Sequence, residues 1–245
     1  MAKAAAAEVD NSPEKICLEV SKQTDSVIVS FSGGKDSLVL LSLCKKYFKN
    51  VQAFFLYIVK DLDYFETKLK YAEKKFDIRI KQYPHPELSR YLRNGICTFD
   101  AYETPPLSWN DIEDIARKDF QIDWIASGWK KTDSLQRRAA LSTFRCEGII
   151  DKSKKFFPLS NWNDSMVISY LRLHKLPIPK TNTKGQFEVS LIYKPLKFMK
   201  ENYPKDYQKI LEQFPFAETI IKKKRTLWRL VNIKDSNPLL LIGKK

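Results

Sequence analysis

The sequence predicts an α/β fold, a doubly wound parallel sheet with a C-terminal helical extension. Short apolar runs rich in β-branched residues alternate with segments of helical period, which is the pattern of strand–helix–strand units. The runs are nearly continuous in apolar character, as strands covered on both faces must be. A Gly-Gly turn joins the first run directly to the first long helix.

Residues 1–11 contain an alanine run and read as a disordered tail, after which Ser12 can N-cap a helix that begins with Pro13. The first strand is expected over 26–31. The helix that follows the Gly-Gly turn carries Leu38, Leu41 and Tyr47, with Val39 and Leu43 beside them. A second buried strand is expected over 51–59, then a helix with Phe65, Leu69, Ala72 and Phe76 at helical spacing. The third strand, over 78–83, ends at Pro84-His85-Pro86, and a short helix from Pro86 closes at Asn94-Gly95. Residues 96–109 hold two prolines and no period, a loop long enough to be functional. Asn110 or Asp111 can cap a helix bearing Ile112, Ile115 and Phe120, and a fourth strand over 123–127 ends at Gly128. Ligands of such sheets lie beyond the carboxyl ends of the strands, where strand order reverses. That rule selects segments 32–37, 57–63, 83–86 and 128–138.

Length and charge bound the function. A chain of 245 residues can bury a real core as one large domain, or one domain with an extension. Lys and Arg total 43 against 29 Asp and Glu, and the net charge of +14 favours phosphate-bearing partners, from nucleotides to nucleic acid. The four cysteines, Cys17, Cys44, Cys97 and Cys146, form no Cys-Xaa-Xaa-Cys pair, so neither a zinc site nor a four-cysteine iron–sulfur site has its usual spacing. Free thiols suit a reducing, cytoplasmic setting. No leucine-rich leader is evident and no segment approaches the roughly 18 apolar residues of a membrane span.

Residues 31–37, Phe-Ser-Gly-Gly-Lys-Asp-Ser, read as a phosphate cradle. Gly33 and Gly34 free the backbone and let a ligand come close, while the N–H groups of the new helix point at that ligand. Ser32 and Ser37 add hydroxyls, Lys35 adds charge, and Asp36 can orient a Mg2+ water or cap the turn. A ligand-free tight turn would need fewer of these groups. The four-residue gap of a Walker A loop is missing. A second cationic turn follows the fourth strand, where Lys130, Lys131, Arg137 and Arg138 flank Ser134 and Gly128. Cations at a helix N-terminus gain little from the dipole, so an anion is expected there too.

The stretch Ser32-Gly33-Gly34-Lys35-Asp36-Ser37 resembles the pyrophosphate-binding PP-loop, Ser-Gly-Gly-Xaa-Asp-Ser, of the adenine nucleotide α-hydrolase superfamily. The turn at 128–138 is similar to the Gly-Xaa-Arg-Xaa-Asp/Xaa-Glu-Ser-Xaa-Xaa-Arg pattern of the phosphoadenosine phosphosulfate reductase and ATP sulfurylase small-subunit group. Gly128, Ser134 and Arg137 match it, with Lys130 and Asp133 as charge-preserving replacements. A third likeness is Phe157-Pro158-Leu159 through Trp162, Tyr170 and His174 to Pro177, so that the resemblance spans about residues 27–179. Asn163 or Asn161 can cap the helix of that segment, and Trp162 and His174 read as core and helix-end residues.

The resemblance implies a Rossmann-like, adenine nucleotide alpha-hydrolase-like domain over 12–179 and a basic helical extension over 180–245. It implies ATP or a related adenine nucleotide with Mg2+, held by Ser32, Gly33, Gly34, Lys35, Asp36, Ser37, Gly128, Lys131, Ser134 and Arg138, with adenine near Tyr57 and Ile58. Lys35, Asp36, Lys130 and Arg137 would stabilise the reacting phosphate, and Asp36 would meet the metal. The implied chemistry is attack on the α-phosphate with pyrophosphate release, linked to sulfur transfer or nucleic-acid modification.

The chain departs from the sulfonucleotide reductases in lacking their Glu-Cys-Gly-Leu-His segment, since no cysteine follows Cys146. A reductase built on an atypical thiol, Cys97 or Cys146, is therefore a second alternative, although both read better as small packing residues. His85 reads as a turn residue. In the extension, Tyr207, Ile210, Leu211 and Phe214 share one helix face, followed by Lys222-Lys223-Lys224-Arg225 and Trp228. That extension can dock on the sheet, form a homo-oligomer interface, or present a basic face with Trp228 and Trp129 to a nucleic acid or partner protein. The last use would make the chain a nucleotide-dependent regulatory module without chemistry.

Overall fold

The computed structural model describes residues 12–178 and 190–222. Helix α1 (Pro13–Ser21) leads into β1 (Ser26–Ser30), α2 (Lys35–Tyr47), β2 (Asn50–Tyr57), α3 (Asp63–Phe76) and β3 (Ile80–Pro84). Then come α4 (Pro86–Arg93), α5 (Trp109–Phe120), β4 (Trp124–Ala126), α6 (Leu135–Ser142), β5 (Ile149–Ile150), β6 (Lys155–Phe156), α7 (Asp164–Leu173), α8 (Tyr193–Asn202) and α9 (Pro204–Gln213). The six strands form one sheet in the order β3-β2-β1-β4-β6-β5. The chain moves outward from β1 to β2 and β3, then returns to place β4 on the other side of β1. Val29 accordingly faces Ala53 in β2 and Ala126 in β4, both in parallel register. Strand order therefore reverses at the β1–β4 boundary, above which the turns after both strands converge.

The residues of β1 explain its central place. Val27, Ile28 and Val29 are fully buried, and alternation sends Ile28 to one face and its neighbours to the other. Ile28 joins Phe54, Tyr83, Ile112, Ala116, Ile122 and Ile125 in a small core beneath α5. Val27 and Val29 join the larger core, with α1, α2, α3, α7, α8 and α9. Helix α2 buries Ser37 to Leu41, Leu43 and Cys44, so it packs on nearly every side rather than along a stripe. Helices cover both faces, as the alternating pattern predicted.

Several local expectations change. The sheet is not wholly parallel, because the two-residue β5 pairs antiparallel with β6 at its edge. Helix α5 is capped by Ser108 rather than Asn110 or Asp111, and Ser108 and Asp111 form a reciprocal capping box. Ile115 on that helix is exposed rather than part of the core. Ser12, Asn94 and Asn163 take the capping roles expected of them.

The described part of the extension shares the larger core. Leu191, Leu196, Met199, Tyr207, Ile210, Phe214 and Ala217 are all buried in it. Asp206, 1% exposed, accepts hydrogen bonds at 2.9 Å from the backbone N–H groups of Asp63 and Tyr64. Leu62, the residue before α3, offers no side-chain cap, so a carboxylate from α9 supplies it. Asp206→Ala is expected to cost about 2 kcal/mol, a fall of about 4–8 °C in a thermal melt. Of the basic run, Lys222 is described and pairs with Glu218 at 2.6 Å. Lys223, Lys224, Arg225 and Trp228 lie outside the described residues.

Candidate functional site

The site begins where β1 ends. Phe31 still donates its N–H to Phe54 in β2, and the chain then leaves the sheet at Ser32. Gly33 has φ +72°, the left-handed region that a side chain disfavours, and a Cβ there would stand 3.3 Å from Lys68 Cδ. Gly34 is different. Its φ of −91° suits any residue, and it is the N-cap of α2 with no side chain capping the helix. The first amides of α2 thus keep their N–H groups available to a ligand. Ser37 Oγ donates to the Gly34 carbonyl at 3.0 Å, and Ser32 Oγ donates to Ser37 Oγ at 3.3 Å, which braces the loop.

Beside the loop lies a four-member ionic cluster. Lys130 Nζ donates to Asp36 Oδ1 at 2.6 Å and to Asp164 Oδ1 at 2.7 Å. Lys35 Nζ donates to Asp36 Oδ2 at 2.8 Å and to the same Asp164 Oδ1 at 2.9 Å. Asp133 adds a third carboxylate 3.7 Å from Lys130, whose side chain is only 2% exposed. Burial alone would lower the Lys130 pKa, but hydrogen bonds to Asp164 and Asp36 outweigh it and raise the pKa instead. Lys130 and Lys35 in turn hold the Asp164 carboxyl below its ordinary range. The dipole argument for an anion at this turn is therefore met in part by carboxylates of the chain itself. Asp164 is the member of this cluster that the sequence reading did not single out.

The remaining candidates fall into distinct places. Gly128 packs on the start of α2, where a Cβ would be 3.8 Å from Asp36 Cβ. Ser134 caps α6 by accepting from the Arg137 N–H. Arg137 pairs with Asp133 at 2.7 Å and lies 5.0 Å from the centre of the Trp129 ring. Lys131 pairs with Glu147 at 2.8 Å, and Arg138 Nε reaches back to the Lys131 carbonyl at 3.5 Å. Of the four cations, Lys130 is the one that hydrogen-bonds to residues 32–37, through Asp36.

At the next strand end, Tyr57 is partly buried and its carbonyl accepts from the His85 N–H. Ile58 is buried in the core, and its carbonyl accepts from Gln213 Nε2 of α9 at 3.4 Å. His85 is the N-cap of α4, with Nδ1 accepting from the Glu87 N–H, so its turn role holds. A cleft of about 360 Å³ lined by Pro86, Arg90, Arg93, Leu107 and Trp109 opens beyond β3, and none of residues 32–37 lines it.

A family model, the phosphoadenosine phosphosulfate reductase domain, matches residues 26–210, which takes in the loop, the ionic cluster and most of the described extension. The chain belongs to this family. Among solved structures it is similar to the U34-tRNA thiolase NcsA from Methanococcus maripaludis with its [4Fe-4S] cluster, at 15% identity and a TM-score of 0.48, covering 84% of this chain and 78% of that one. It is similar to phosphoadenylyl-sulfate reductase from Candida auris at 14% identity and a TM-score of 0.47, covering 72% and 90%. A third likeness is to NH3-dependent NAD synthetase from Campylobacter jejuni at 15% identity and a TM-score of 0.44, covering 96% and 100%. No curated protein matches the sequence.

Within this phosphoadenosine phosphosulfate reductase domain the four cysteines pack in or against the larger core. Cys17 and Cys44 are buried, and burial pushes both thiols up. Cys97 and Cys146 are half-buried at left-handed backbone positions, φ 60° and 50°. Burial also pushes the Cys97 thiol up, the opposite of what activates a nucleophile. Among the described residues, no three His, Cys, Asp or Glu side chains gather as a metal cage. No helix among them is long and apolar enough to cross a membrane.

Proposed function

We propose that the chain binds an adenine nucleotide, ATP with Mg2+, and presents its α-phosphate to an acceptor nucleophile. The observation that carries this reading is the meeting of an uncapped helix N-terminus with the Lys35–Asp36–Lys130–Asp164 cluster at the point where strand order reverses. The loop amides hold the β- and γ-phosphates. The acceptor attacks the α-phosphorus, the bond from it to the bridging oxygen breaks, and pyrophosphate leaves with that electron pair. Lys35 and Lys130 stabilise the charge that builds up, already oriented by Asp36 and Asp164 before substrate arrives. Asp36 and Asp164 are hard oxygen donors of the kind that Mg2+ takes alongside substrate phosphates, and the ion would neutralise charge on the leaving pyrophosphate.

The acceptor class that fits is sulfate, or a nucleic-acid base primed for sulfur or nitrogen transfer. Incubating purified protein with α-labelled ATP and a panel of sulfate, RNA and DNA tests the reading. Pyrophosphate release that depends on one acceptor supports it. Tight ATP binding with no release under any condition would instead favour the regulatory module.

Sulfonucleotide reduction is the alternative that the cysteines speak against. With thioredoxin and phosphoadenosine phosphosulfate supplied, no sulfite release is expected, and Cys97→Ser and Cys146→Ser should each bind ATP within about twofold of wild type. Thioredoxin-dependent sulfite release that vanished in either variant would make that thiol the nucleophile.

A further inference from the structure

We infer that Lys68 is a substrate-binding residue of the phosphate loop, delivered from α3 to the pyrophosphate of a bound nucleoside triphosphate. The inference rests on the nucleotide reading above and adds a residue that no sequence motif marks. Its geometric basis is the contact with Gly33. The nearest atoms to a Cβ at Gly33 would be Lys68 Cδ at 3.3 Å and Lys68 Cβ at 3.8 Å, so the lysine stem lies along the loop backbone. Gly33 is therefore glycine for two reasons, its φ of +72° and the room it leaves for this stem.

From Cδ the chain turns over α3's own aromatic residues. The Lys68 ammonium sits 3.6 Å from the centre of the Tyr64 ring and 5.4 Å from that of Phe65. Tyr64 is itself fixed by edge-on contacts with Phe65, Phe198 and Tyr203, so the ring shelf under the ammonium is rigid. The ammonium nitrogen is buried, two bonds beyond the atom that touches the loop. A rotation about those last bonds exchanges the ring face for a phosphate oxygen on the loop. A charge-assisted contact to phosphate is stronger than a cation–π contact, which favours the phosphate over the Tyr64 ring face.

The setting of the other loop cations sharpens the assignment. Lys35 and Lys130 are each held by the carboxylates of Asp36 and Asp164. Lys130 follows β4, which lies on one side of β1 in the sheet. Lys68 comes from α3, the helix after β2, and β2 lies on the other side of β1. Burial lowers the Lys68 pKa to about 8, and a neighbouring anion would draw it back toward full charge.

The test compares wild type, Lys68→Met and Lys68→Arg by calorimetric titration with ATP, inorganic pyrophosphate and AMP. Methionine keeps the stem against Gly33 and removes only the charge. Lys68→Met should lose about ten- to a hundredfold in affinity for ATP and for pyrophosphate, with AMP binding unchanged, and Lys68→Arg should recover most of the loss. Wild-type affinity for ATP and pyrophosphate in Lys68→Met would overturn the inference, as would an equal loss for AMP, which would mark a packing role. If wild type bound none of the three ligands, the nucleotide reading itself would fall, an outcome distinct from the failure of Lys68 alone.

Discussion

Gly34→Val is expected to abolish ATP binding while the protein stays folded. The backbone at Gly34 is in the ordinary extended region, which valine favours. A Cβ there meets only Ser32 Oγ, at the ordinary contact distance of 3.5 Å. The fold therefore has room for the side chain, and a melting temperature within about 3 °C of wild type is expected. The ligand has no such room, because the valine methyl groups occupy the approach to the amides of α2. Loss of that close approach should weaken ATP by at least about a hundredfold, near 2.7 kcal/mol. Calorimetric titration measures it directly. Unchanged affinity would show that no phosphate lies on this loop.

Lys130→Met is expected to damage both stability and turnover. The side chain is 2% exposed and joins Asp36, Asp133 and Asp164, so its removal leaves Asp36 and Asp164 to share Lys35, and leaves Asp133 with Arg137. Breaking a fully buried pair costs about 3–5 kcal/mol. Here water reaches Asp164, 72% exposed, and Asp36, 29% exposed, so a loss of about 2 kcal/mol is expected. Urea denaturation reads this as a lower midpoint with an unchanged slope. Pyrophosphate release should fall at least about tenfold, since one oriented cation leaves the α-phosphate.

The pH window of this cluster follows from its pKa directions. Lys130 is raised on folding, so its contribution is complete below the unfolded lysine value of about 10.4 and is lost only as pH rises through the higher folded value. Asp164 is depressed, so its contribution is complete above the unfolded aspartate value of about 3.9 and is lost as pH falls through the lower folded value. Measurements at neutral pH therefore read both contributions in full. A Lys130→Met protein with wild-type stability at pH 7 would show that the cluster is held apart by solvent.

How much of this was legible in the sequence depended on whether the information was local. β1, the Gly-Gly turn and α2 were readable because β-branched burial, backbone freedom and helix start lie within about twenty consecutive residues. The hydrophobic periods of α3 and α9 were equally local. The cap of α5 was misplaced because Asn110 and Asp111 are good caps by type, while the Ser108–Asp111 box is distinguished only by its geometry. β5 and β6 have two residues each, too few to show a period. Asp164 stood at the start of a helix, where a carboxylate is ordinary. Its role comes from lysines 129 and 34 residues away in the chain, which only the sheet topology brings to it. The same holds for Asp206, whose partners at the start of α3 precede it by more than 140 residues.

The most direct test of the central claim is a crystal structure with a non-hydrolysable ATP analogue and Mg2+. The account predicts the β- and γ-phosphates on the amides at the start of α2, adenine against the end of β2 near Tyr57, and the α-phosphate facing Lys130 and Asp164. An analogue bound with its phosphates at the start of α6, or in the cleft beside Trp109, and the Ser32–Ser37 loop empty, would contradict it.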